Sequence, residues 1–120
     1  MFTKEQLRDW LDQAERDKRV KAIEKYLAKE IKKNALKGNH TFYVSTGEKP
    51  KMSRSTVKSS FYDIWHNEDL TEESSRIIKE TVIRKLKEFG FDASIVNVDH
   101  GYHSSYEAVL FRNIHELVAE

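Results

Sequence analysis

The chain has 120 residues, 38% hydrophobic and 34% charged, with a formal net charge of +1 and no cysteine. That length suits a single domain with a real core, and the missing cysteines exclude a disulfide framework, thiolate-bound zinc and a cysteine nucleophile. No apolar run approaches the ~20 residues that cross a bilayer, and the opening Met1–Glu5 does not read as a signal peptide, so a cytoplasmic protein without a membrane partner is expected.

The small net charge conceals a polarity. Residues 1–58 hold 15 Lys/Arg against 8 Asp/Glu, whereas residues 59–120 hold 6 against 12. Such a division predicts an anionic partner for the first half, or attraction between halves or between copies. Uneven surface decoration is the plain alternative.

Thr3 and Gln6 have capping-box spacing, and Phe2 with Leu7 has that of a hydrophobic staple, so a helix opens here. Leu7, Trp10, Leu11 and Ala14 form one stripe, and Val20, Ile23, Leu27 and Ile31 another. At 100° per residue the stripes lie roughly 200° apart, which predicts a break near 15–19 or a first segment, 1–16, acting as a separate arm. Lys18, Lys21, Lys25, Lys29 and Lys32 fall within about 40° of one line opposite the second stripe. A lysine row of this kind can follow a phosphate backbone, but it is also an ordinary solvated face. No arginine joins it for bidentate base reading. Gly38 is placed to end the helix.

A strand is predicted over 40–46, with Phe42 and Val44 on one face, followed by an exposed loop that holds the only proline. Lys49, Lys51, Arg54 and Lys58, among Ser53, Ser55 and Thr56, make the loop basic and rich in hydroxyls, a candidate phosphate contact. The spacing of a nucleotide-triphosphate loop is absent. A short helix is expected to open at Ser55 or Thr56 and to carry Val57, Phe61, Ile64 and Trp65. The cluster Tyr62, Trp65 and His66 reads as core in preference to a pocket wall.

Thr71 is the predicted N-cap of a helix over 72–89, with Ile78, Val82, Leu86 and Phe89 as its stripe. Gly90 is its left-handed stop, with Phe91 folding back over the cap. Two strand runs, 93–98 and 106–111, then read as an antiparallel hairpin. Both strands are apolar on both faces, so the sheet is expected to be covered on both sides, or on one side by a partner chain. Asn113 and Glu116 have capping-box spacing for a short last helix.

The hairpin turn gathers Asp99, His100, Tyr102 and His103. Two histidines and a carboxylate suit a divalent metal, but a turn lacks the rigid helical spacing of a metalloprotease pair. No nucleophile–base–acid set, metal site or cofactor site is predicted.

In composition, rich in Lys, Glu, Ile, Asn and Tyr and free of cysteine, the chain resembles small accessory proteins of phages and prophages of low-GC bacteria. The helix–glycine–strand punctuation at Leu36-Lys37-Gly38 and Lys87-Glu88-Phe89-Gly90-Phe91 resembles theirs too. The resemblance implies regulation or inhibition of a host system by binding.

The sequence thus predicts one α+β domain over residues 1–120, with a three-stranded, mostly antiparallel sheet and about five helices in the order α-α-β-α-α-β-β-α. The leading function is a non-enzymatic module that binds a host protein or a second copy, with Trp10, Leu11, His100, Tyr102 and His103 as contacts. The alternative is nucleic-acid or nucleotide binding by the lysine row and the 49–58 segment. A small metal-dependent enzyme on His100 and His103 is the third reading.

Overall fold

The structure, a computed structural model, describes residues 1–46, 48–50, 56–58, 60–67, 69–99 and 105–119, with 48–50, 56–58, 60, 99, 105 and 106 described by their backbone alone. Helix α1 runs over Lys4–Leu36, followed by strands β1 (Phe42–Ser45), β2 (Glu48–Pro50) and β3 (Thr56–Lys58). Then come α2 (Ser60–His66), α3 (Glu72–Phe89), β4 (Asp92–Asp99), β5 (Ser105–Arg112) and a 3-10 helix over Ile114–Val118. The fold is α+β, and its main sheet is three antiparallel strands in the order β1-β5-β4.

Three α-helices are present among the described residues where about five were predicted. The predicted break near 15–19 does not occur: α1 is continuous, and a 3.0 Å Glu15–Arg19 bridge spans the place where it was expected. The change of phase has another cause. Residues 1–14 are all exposed, and burial begins in earnest at Val20, Ile23 and Leu27. The first stripe therefore faces no core within the chain and has no need to match the second. The last predicted helix is a 3-10 turn, entered through Asn113 at φ 50° without a side-chain cap. Thr56–Val57, expected to open a helix, instead pairs with β2, as β-branched residues favour. The helix begins only at Ser60.

The caps of α1 and α3 form as the spacing predicts. Gln6 N–H donates to Thr3 Oγ1 at 3.1 Å, and Thr3 N–H donates to Gln6 Oε1 at 2.8 Å. Phe2 leans on Trp10, with ring centroids 5.3 Å apart. Ser74 N–H donates to Thr71 Oγ1 at 3.2 Å. At the far end of α3, Phe91 N–H reaches back to the Leu86 carbonyl at 2.9 Å around Gly90, whose φ is 121°.

Register places Phe42, Val44, Ala93, Val109 and Phe111 on one pleat face. They join Val20, Ile23, Leu27, Phe61, Trp65, Ile78 and Val82 in a single core, so α1, α2 and α3 cover that face. On the other face Ala108 and Leu110 are already buried within the chain, while Tyr43 is 58% exposed. Covering β5 on both sides therefore needs no partner chain. Phe89, assigned to the buried stripe of α3, is 74% exposed. Among the described residues no helix is long and apolar enough to cross a membrane.

Candidate binding surface

The outer face of α1 gathers two of the predicted surfaces into one. The helix has 33 residues and is therefore about 50 Å long. The face turned from the core carries Leu7, Trp10, Leu11 and Ala14 in its first turns and the lysine row in its later ones. Both sets centre on the same helical direction, about 180–200° from Ile23 and Leu27. Trp10 is 52% exposed and Leu11 63%. Charge changes along the same axis: residues 1–17 hold 3 Lys/Arg against 5 Asp/Glu, and residues 18–37 hold 8 against 2.

Lys18, Lys21, Lys25, Lys29 and Lys32 are all exposed and span about 21 Å of helix. None of the five enters an ion pair among the described residues. The attraction between halves implied by the charge split runs instead through Arg19. Its guanidinium donates to both carboxylate oxygens of Asp69, at 2.8 and 2.7 Å, and to Asn67 Oδ1 at 2.9 Å. The hydrogen bond from Arg19 holds the Asp69 carboxyl below the usual range. A second link, Lys85–Glu24 at 3.4 Å, takes its cation from the acidic half. Among the described residues the basic excess of α1 thus stays largely uncompensated.

The basic 49–58 segment is not a simple loop. β2 and β3 pair in a ladder that sets Lys49 opposite Val57 and Lys58 opposite Glu48, so alternation assigns Lys49 and Lys58 to different faces. Lys51 and Arg54 lie outside the described residues, as do His100, Tyr102 and His103 of the hairpin turn. Elsewhere, His40 and His115 approach to 4.3 Å between ring centroids. Among the described residues no three His, Asp or Glu side chains converge on a metal position.

A cluster not predicted from the sequence lies between α2, α3 and β5. Trp65 is fully buried, and its indole N–H donates to Glu107 Oε2 at 2.9 Å. Lys79 Nζ reaches the same oxygen at 3.2 Å and sits 5.5 Å from the Trp65 ring centroid. Burial opposes ionisation of Glu107, but the Trp65 hydrogen bond and the Lys79 charge outweigh it and hold the carboxyl below its ordinary range. A cleft of about 590 Å³ opens beside the cluster, lined by His66, Ser75, Lys79 and Glu107 among others. Ser75 Oγ donates to the His66 carbonyl at 2.9 Å, so the hydroxyl is tied to backbone. The Thr46 hydroxyl and N–H both donate to the Glu107 carbonyl, at 2.6 and 3.1 Å. These bonds anchor two helices to the sheet. The signal in the sequence is Glu107 itself, a charge at the core-facing register of β5 beside Val109 and Phe111. Trp65 is core as expected, and the neighbouring His66 lines the cleft.

No protein-family model, no curated protein and no solved structure matches this chain.

Proposed function

We propose that the protein is a non-enzymatic binding module that holds an acidic surface of another protein against the lysine row of α1, in the manner of a phage-type modulator of a host complex. The observation that carries this reading is the row itself: five exposed ammonium groups in line, none neutralised by a described carboxylate. Internal pairing would have been simple to arrange, since the second half of the chain is acidic. Instead Arg19 and Glu24 carry the links between halves, and the row is exposed. Lysine side chains are flexible, strongly hydrated point charges that suit a long acidic strip better than a shaped carboxylate pocket.

The test is affinity capture from the native cell with the wild-type chain and with Lys21→Glu, Lys25→Glu and Lys29→Glu combined. A partner held by the wild type, released by rising salt and absent with the triple variant supports the reading. Equal capture by both chains rejects it.

Nucleic acid is the second reading, favoured by the spacing of the row along one straight helix. Titration of duplex DNA and of RNA at two salt concentrations separates the two readings. Each phosphate that a lysine neutralises adds about one to the slope of log affinity against log salt. A binding slope near 4–5, reduced by about three in the triple variant, would move the assignment to nucleic acid. Failure of both nucleic acids to bind leaves the acidic protein surface.

A further inference from the structure

We propose that the N-terminal arm of α1 is a self-pairing surface, lying antiparallel against the same arm of a second copy about a two-fold axis beside Trp10 and Leu11. The proposal concerns the apolar end of the helix and does not rest on the lysine row holding a partner.

The arm needs an occupant. Residues 1–14 touch no core, yet they present Leu7, Trp10, Leu11 and Ala14 on one face, with Phe2 packed beside Trp10. A two-fold axis perpendicular to two antiparallel helices sets residue i opposite a residue j with a constant sum, and makes the contact reciprocal. The four apolar positions are symmetric about the midpoint between Trp10 and Leu11. One register therefore places Leu7 against Ala14 of the second copy, and Trp10 against its Leu11. Every apolar residue of the stripe then meets another apolar residue.

Charge points to the same occupant. In an antiparallel pair each edge of one helix faces the same edge of the other. Lys4 and Glu15 lie on one edge of the arm, at about 60° and 80° from Leu7. In this register they come within two residues, about 3 Å along the axis, of facing each other, twice by symmetry. Glu15 accepts from Arg19 through Oε1, at 3.0 Å, and among the described residues its second oxygen takes no hydrogen bond. The lysine row bounds the register. Sliding toward greater overlap brings Leu7 against Lys18, so the apolar match is lost within one helical turn. The core of each copy lies behind its own α1, on the face of Val20, Ile23 and Leu27, and the outer face is open to an approaching helix. Pairing over the arm buries on the order of 1,000 Å² in total, near the lower limit for a specific interface. A concentration-dependent dimer is expected.

The chain has no cysteine, so a single introduced thiol reports the register without ambiguity. Light scattering across a dilution series is expected to show a mass rising toward twice the 14.1 kDa of one chain. Trp10→Ser with Leu11→Ser should weaken the association at least tenfold, with an unchanged far-UV spectrum and melting curve at low concentration. Leu11→Cys should cross-link to itself under mild oxidation. Lys29→Cys, on the same face but beyond the overlap, and Arg16→Cys, on the opposite face, should not. A monomer at every concentration overturns the proposal. So does a dimer indifferent to the Trp10 and Leu11 changes, or cross-linking at position 29 as efficient as at 11.

Discussion

Trp65 and Glu107 stand 42 positions apart and are joined by a 2.9 Å bond from the indole N–H to Oε2, with Lys79 on the same oxygen at 3.2 Å. The indole is fully buried in the intact fold, and the bond to Glu107 satisfies its donor. Glu107→Ala should therefore destabilise the fold by about 2 kcal/mol, through an orphaned indole N–H and an unpaired ammonium. The loss stays below the 3–5 kcal/mol of a fully enclosed pair, because 35% of the Glu107 side chain remains exposed. Urea denaturation of the variant against wild type measures it.

The same carboxylate gives the fold a pH dependence of known sign. Its folded pKa lies below the ordinary value, since the Trp65 bond and the Lys79 charge overcome the effect of burial. The unfolded state then binds a proton first as pH falls. The stabilisation is complete above the unfolded value of about 4.3 and disappears as pH drops through the folded one. Urea midpoints at pH 7, 5, 4 and 3 should converge for wild type and Glu107→Gln toward the acidic end. Curves that stay parallel down to pH 3 would contradict the assignment.

Much of this architecture is legible in local chemistry. Thr3, Thr71, Gly38 and Gly90 mark helix ends because caps depend on a few neighbouring atoms, and those neighbours are adjacent in sequence. The arm is harder to read. Periodicity shows which residues share a face, not whether anything covers that face, so an uncovered stripe at 7–14 looks like a break near Glu15. The 49–58 segment misleads for another reason: hydroxyls and a proline suggest a loop, while Thr56 and Val57 have a strand preference that pairing with β2 realises. Glu107 is legible only through the alternation of β5, where it occupies an inward position. Its partners come from α2 and α3, and nothing local in the sequence names them.

Arg19 binds α1 to the turn before α3, and its more consequential partner is the buried Asn67 amide rather than the exposed Asp69. Asn67 is 3% exposed, sits at φ 49°, and donates from Nδ2 to the Trp65 carbonyl at 3.1 Å. Arg19→Ala leaves Asn67 Oδ1 without its 2.9 Å donor, at a cost of about 1–2 kcal/mol. Asp69→Ala should cost less, and its effect should fade in high salt because that carboxylate is solvent-screened. Thermal melts of both variants at low and high ionic strength distinguish the two roles.

Gly38 and Gly90 both hold positive φ at helix C-termini, at 79° and 121°, yet their tolerance to a side chain should differ. A Cβ at Gly38 meets nothing within 4 Å. Gly38→Ala should therefore cost only the left-handed backbone penalty of about 1 kcal/mol. At Gly90 the added carbon would lie 2.5 Å from Leu117 Cδ2, and the φ is farther from any L-residue basin. Gly90→Ala must displace Leu117 as well as strain the turn, and a loss of about 2–3 kcal/mol is expected. Combining Gly90→Ala with Leu117→Ala separates the contributions. The clash vanishes in the double variant, so part of the loss should return as a favourable coupling, while the backbone strain remains. If the double variant were less stable than the sum of the single ones, contact between Gly90 and Leu117 would not be the source of the cost.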